Sequence, residues 1–244
     1  MIIKIYNMKS IFSLYTDDTN INQIKLNHNF SSAFDKFDKN IKNLSQLNGL
    51  SDRLILVSPD QVFKFITIPK NASSSVRMLL PEWKHLMVTT PETLAIVRDP
   101  IDRWISGITQ YLYAWTQTSD KVKQDARVSE MHRLIETELF LLMLFDFPIN
   151  NAHTMPQSWF FDGYDYTTIR FYKYDSTVLS RVSEYVKVDS SKHILYNNRT
   201  VDSLLKMEIS DKIRQILNQY PECKTRLFNL YRSDYVLFQT ITQH

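Results

Sequence analysis

Two short strings hold the residues best equipped for chemistry. The first, IPKNASSSV at 68–76, sets a lysine, an asparagine and three consecutive serines between apolar runs. At the mouth of a helix, Lys70 supplies a point charge. Asn71, Ser73, Ser74 and Ser75 supply donors for a phosphate or sulfate. The same string also fits a plain strand-to-helix connection, with serines capping the helix and Lys70 in water. The second string, VRDPIDRWIS at 97–106, puts Arg98 at a strand end and Ser106 about two turns into the next helix. A guanidinium and a hydroxyl suit a second phosphate, the arginine gripping it bidentately. The alternative for Arg98 is an ion pair with Asp99 or Asp102. Arg103 reads as structural or solvated, with a phosphate contact the lesser alternative.

The elements that must place these residues follow from pattern. RLILVSPDQVFKFITIP reads as two strands about the turn Ser58-Pro59-Asp60. The second, 62–68, is apolar on both faces, as a central strand should be, and ends at Pro69. A helix over 73–80 follows, with Asn71 or Ser73 near its N-cap. Residues 93–97 form another buried strand. Asp99-Pro100 then opens a helix over 100–113, with an acceptor at the N-cap and proline at N1. Further helices are expected over 129–145, 175–186, 201–219 and 221–241, with a third core strand ending near Tyr172. The alternation predicts an α/β domain over 51–244, its mostly parallel sheet flanked by helices in three layers. Residues 1–50, rich in Asn, Lys, Asp and Ser, read as a partly helical N-terminal extension. If the two strings follow adjacent parallel strands, both loops meet at one edge of the sheet.

The totals narrow the class of function. Net charge is +3 over 244 residues, too small a surplus to argue for nucleic-acid binding but suited to a local anion site. Only three glycines occur, Gly49, Gly107 and Gly163, and they are far apart, so counting nearly excludes a glycine-dependent phosphate loop. Cys223 is the single cysteine, so no intrachain disulfide forms. Six scattered histidines show no metal-ligand spacing. No window reaches about 18 apolar residues, and the N-terminus lacks the form of a signal peptide. A soluble cytoplasmic protein without a membrane span is expected.

Taken together, the strings resemble the sulfotransferases that use 3′-phosphoadenosine 5′-phosphosulfate (PAPS). IPKNASSSV resembles the 5′-phosphosulfate loop of the carbohydrate branch, and IVRDPIDRWISG its 3′-phosphate motif, in the same order and spacing. NNAHTMPQSWFF before TTIRFYKYD resembles the His-x-x-Pro-Gln segment of that branch, and RLFNLYRSDYVLF its C-terminal helix. The similarity spans about 53–238. It implies a P-loop-like α/β fold, PAPS as donor, no metal, and a carbohydrate or related small hydroxylated acceptor. Lys70 would meet the bridging and sulfuryl oxygens; Asn71, Ala72, Ser73, Ser74 and Ser75 would hold the 5′-phosphosulfate; Arg98 and Ser106 would hold the 3′-phosphate. Arg199, in a polar loop, reads as a solvated arginine or a further 3′-phosphate ligand. Golgi members carry a membrane anchor and often disulfides, so the expectation here is a soluble bacterial or viral member.

Sulfuryl transfer to an alcohol needs a base within hydrogen-bond reach of the attacking hydroxyl. His153, in a loop before a core strand, is the first candidate, against a reading in which it only orders loop or substrate. His85 is the second, because relatives often keep their base before the 3′-phosphate motif; Glu82 is the third. Gln157 is read as ordering the loop or touching substrate. Two competing functions are a nucleotide kinase-like phosphotransferase, weakened by the missing glycines, and a non-catalytic nucleotide- or glycan-binding module.

Overall fold

A computed structural model describes residues 55–85, 92–136, 153–161, 164–189 and 204–241. The expected N-terminal extension, Arg199 and the second half of the helix expected over 129–145 lie outside the described residues.

Apolar residues on both faces of one strand explain the centre of the molecule. In β3 (Glu92–Val97), Leu94 and Ile96 point into one core, and Ala95 and Val97 into another. Such a strand is stable only when covered on both sides. The described sheet has four strands in the order β1-β2-β3-β4, with β1 (Ile55–Val57), β2 (Phe63–Ile66) and β4 (Ile169–Lys173). β2, β3 and β4 run parallel, while β1 is antiparallel to β2. The turn between β1 and β2 is held by Ser58, whose Oγ accepts from Phe63 N at 2.9 Å and donates to Asp60.

One face is covered by α1 (Ser73–Leu79) and α4 (Val178–Tyr185), through Val76, Leu79, Val178 and Val182. The other is covered by Phe161, at the end of a 3₁₀ turn (Gln157–Phe161), and by Leu237 of α7 (Arg232–Thr240). A further core joins α2 (Pro100–Thr116), α3 (Lys121–Ile135), α5 (Leu204–Gln219) and α6 (Pro221–Leu230). Among the described residues, no helix is long and apolar enough to cross a membrane.

Two expectations need correction. The helix expected over 129–145 begins at Lys121, where the Asp120 carboxylate accepts Lys123 N at 3.2 Å. Its first two turns are polar, so the apolar run marked only its later part. The helix expected over 221–241 is two helices broken at Tyr231, a fully buried residue whose hydroxyl donates to the Thr154 carbonyl. That long-range bond within the chain holds Tyr231 where an uninterrupted helix would continue.

Candidate functional site

The loops after β2 and β3 emerge side by side, because those strands are parallel neighbours with Phe65 opposite Leu94 and Ile66 opposite Ala95. Both open onto one cleft of about 650 Å³. Lys70, Ala72, Ser73, Ser74 and Ser75 line it from the first loop, and Arg98 and Ser106 from the second; His153 also lines it.

The first loop is strained. Lys70 (φ 70°) and Ala72 (φ 61°) both occupy the left-handed region without being glycine. Such residues persist only where their surroundings over-determine them, and they concentrate at functional sites. Left-handed residues interleaved with others turn backbone N–H groups into a concave anion-binding nest. Ala72 is the N-cap of α1, with no side-chain cap hydrogen bond, which replaces the expected Asn71 or Ser73 cap. The first helical bond runs from Val76 N to the Ala72 carbonyl at 2.9 Å, so the first turn of α1, with Ser73, Ser74 and Ser75, begins at the cleft.

Asn71 departs from its expected role. Its side chain is buried, and both amide hydrogens point inward, to the Ile96 carbonyl at 2.8 Å and to Gln157 Oε1 at 2.7 Å. It anchors the loop to the sheet and has no donor left for a ligand.

In the second loop, the Asp99 carboxylate accepts Asp102 N at 2.9 Å and caps α2. Asp102 pairs with Arg214 of α5 at 2.8 Å, so it is not taken up by Arg98 in the ion pair that is the alternative reading of that arginine. Arg98 instead donates from Nη1 to the Lys70 carbonyl at 3.3 Å, and its guanidinium lies 4.8 Å from the centre of the Tyr174 ring. One loop's cation is thereby bonded to the other loop's backbone.

Burial and neighbouring cations set the charge states. Burial, followed by Lys206, Arg98 and Arg103, lowers the Lys70 ammonium to about 8. Its Nζ is 3.5 Å from Gln110 Oε1. Burial, then Lys70 and Arg103, lowers His153 to about 4, so the imidazole is neutral at physiological pH and one ring nitrogen accepts. The ring packs edge-on against Tyr111, with centroids 5.6 Å apart. Its backbone rests on Gly107, where an added Cβ would fall 2.4 Å from the His153 carbonyl oxygen. Only glycine allows that approach, which sets His153 against the helix turn that carries Ser106.

His85 is not brought to the cleft. Its Nδ1 lies 2.8 Å from the Ile55 carbonyl on edge strand β1, and neither His85 nor the exposed Glu82 lines the cavity.

Sequence reasoning missed the scaffold beneath the loops. The Asp234 carboxylate, fully buried, accepts Gln157 N at 2.7 Å and Ser158 N at 2.8 Å. Burial pushes that carboxyl up, opposed by these N–H groups and by Arg103. Arg103 is itself buried, donating Nε to the Pro69 carbonyl at 3.2 Å and Nη1 to the Met155 carbonyl. It is structural, one of the readings its sequence allowed. Nothing local in the sequence pairs Asp234 with a segment 77 residues away. Arg214 and Gln110, which also line the cleft, carry no motif, and Tyr174, a further lining residue in the strand segment TTIRFYKYD, has no role assigned by that segment. Among the described residues, no group of three or more His, Cys, Asp or Glu is arranged to hold a metal ion.

This arrangement can bind an anion at each loop and offer a neutral imidazole in the same cleft. No family model, no curated protein and no solved structure matches the chain.

Proposed function

We propose that the chain is a PAPS-dependent sulfotransferase with a P-loop-like α/β fold, transferring a sulfuryl group to a hydroxyl of a carbohydrate or related small acceptor. The observation that carries this is that Lys70 and Arg98, at the ends of adjacent parallel strands, open into one cleft with Ser73, Ser74, Ser75 and Ser106. A donor with two separated phosphate-type ends matches two cation-bearing loops fixed side by side.

In this mechanism the acceptor oxygen bonds to sulfur as the bond from sulfur to the 5′-phosphate oxygen breaks. Charge accumulates on the departing phosphate, where the Lys70 ammonium and the start of α1 with its serines receive it. The hydroxyl proton passes to His153. Burial first, and then the Lys70 and Arg103 charges, holds His153 low; a donor anion offsets the part that the two charges contribute. His153 is preferred over His85 because it lines the cleft and His85 does not. Asn71 keeps a positioning role.

Calorimetry with adenosine 3′,5′-bisphosphate, adenosine 5′-monophosphate and ATP tests the proposal. The bisphosphate should bind at least about tenfold tighter than either of the others, a gap of about 1.4 kcal/mol. Tighter binding of ATP, without discrimination for a 3′-phosphate, would point to phosphotransfer and sink the sulfotransferase reading.

A further inference from the structure

Between the two loops lies one fully buried side chain, Gln157. Its Oε1 accepts from Asn71 Nδ2 at 2.7 Å and from the backbone N–H of Arg98 at 3.1 Å. Its Nε2 donates to the Arg98 carbonyl at 2.6 Å. A single amide thus grips the first loop through Asn71 and the second through both backbone groups of Arg98. Asn71 is fixed in turn to the Ile96 carbonyl of β3, at 2.8 Å. Gln157 itself cannot drift, because Asp234 accepts its backbone N–H and that of Ser158. Arg103 ties the same segment to the first loop through the Met155 and Pro69 carbonyls.

The parallel register of β2 and β3 sets where the two strands end, but not how far apart their loops stand. Loops leaving adjacent strands splay unless something beyond the ladder joins them. Among the described contacts, the joins are the Gln157 amide, the Arg98 guanidinium on the Lys70 carbonyl, Asn71 on Ile96, Arg103 Nε on the Pro69 carbonyl and Lys70 Nζ at 3.5 Å from Gln110 Oε1. Of these, the Arg98 guanidinium and the Lys70 ammonium must also serve a ligand, and Arg103 holds the first loop from α2 rather than from the Arg98 backbone. The Gln157 amide is sealed from the cleft and serves no ligand.

We propose that Gln157 is a positioning residue that sets the separation of the two anion loops, and so selects a ligand whose two phosphate-type groups match that spacing. This deepens, and rests on, the reading of the cleft as a two-ended donor site. His153 lies four residues before Gln157 on the same segment, so the spacer also fixes the imidazole relative to both loops.

The test compares ligands that use one loop with a ligand that uses both, and scores the ratio of affinities. Gln157→Met removes all three amide bonds while keeping length. Gln157→Glu keeps the acceptor oxygens but cannot donate to the Arg98 carbonyl. The preference for adenosine 3′,5′-bisphosphate over adenosine 5′-monophosphate should fall at least about tenfold in Gln157→Met and less in Gln157→Glu, with 5′-monophosphate binding held within about threefold. Asn71→Ser, which breaks the bridge from the other side, should lower the same ratio and carries the test if Gln157→Met does not fold.

A residue that merely supports the fold would weaken both ligands together, and that outcome, or an unchanged ratio in folded variants, overturns the spacer role alone. If the wild-type protein shows no preference for the bisphosphate, the two-ended reading of the cleft fails first and takes the spacer with it.

Discussion

The two loops at the end of the sheet are built on opposite principles. In the second, a conventional cap closes the helix: Asp99 accepts Asp102 N, and Pro100 occupies the first helical position. A carboxylate already holds the place an anion would take, so a ligand there must be gripped by side chains, Arg98 and Ser106. The first loop has no N-cap side-chain bond and two left-handed non-glycine residues, and it sets Lys70, Ser73, Ser74 and Ser75 along the cleft. On the proposed reading a ligand there meets the start of α1 and Lys70 together. The lesson is that a glycine-poor chain can still hold left-handed residues at the mouth of a helix, at a cost in local strain, and that only one of the two loops bears that cost.

Lys70→Met is the sharpest way to break the comparison, because its two expected effects have opposite signs. Burial and three neighbouring cations lower the Lys70 ammonium from 10.5 to about 8. A lowered lysine means that the folded state disfavours the charge. Below about pH 8 both states are protonated and the charge destabilises the fold in full. Between 8 and 10.5 the unfolded chain binds more protons, so stability recovers as pH rises. Removing the charge should therefore raise the melting temperature at neutral pH, with the gain shrinking above pH 8. Sulfuryl transfer should fall by about 10²–10³ in kcat, the scale for losing one preorganised donor at developing charge. A lysine that served only the fold would give a lower melting temperature and unchanged turnover.

The next prediction uses pH to separate the loops. Adenosine 5′-monophosphate, held at the Lys70 loop, should bind more weakly as pH rises through about 8, by up to about tenfold per pH unit. Adenosine 3′-monophosphate, held at the Arg98 loop away from Lys70, should show no such limb. Titration calorimetry at several pH values checks both. Identical profiles for the two ligands would mean that they share one subsite.

These tests concern features that the sequence displays unevenly. The strands, α1, α2 and both loops were legible because each rests on local cues: apolar runs, Pro69 as a stop, and Asp99-Pro100 as a start. That both loops open into one cleft followed from reading the strands as parallel neighbours. His153 ranks ahead of His85 in the sequence, but nothing local says which of the two loops reaches the cleft; Gly107 beneath the His153 carbonyl is the physical reason that His153 lines it. The spacer was least legible. Asn71 looks like a ligand by type and position, yet its amide faces inward because Gln157, 86 residues later, faces it. Hydrogen bonds between distant buried polar groups leave no periodicity and no motif. The same holds for Asp234, which reads as one more charge on a helix until the two N–H groups it accepts are known.

The smallest expected effects lie at the caps, and they too differ in sign. Asp99→Ala removes an ordinary N-cap bond and should cost about 1 kcal/mol of stability. Because the second anion is held by side chains, affinity for adenosine 3′-monophosphate should survive the change. Ala72→Gly acts on the strained loop. A left-handed alanine costs about 1–2 kcal/mol, and glycine returns roughly half of that to the entropy of the unfolded chain. The substitution should therefore stabilise by about 0.5–1 kcal/mol, measured by denaturant unfolding. The freer backbone then orders less completely around a ligand, so 5′-monophosphate binding should weaken slightly even as the protein becomes more stable. If Ala72→Gly instead destabilised the fold as Asp99→Ala does, the first loop would hold no strain, and the contrast between the two loops would reduce to the presence or absence of a cap.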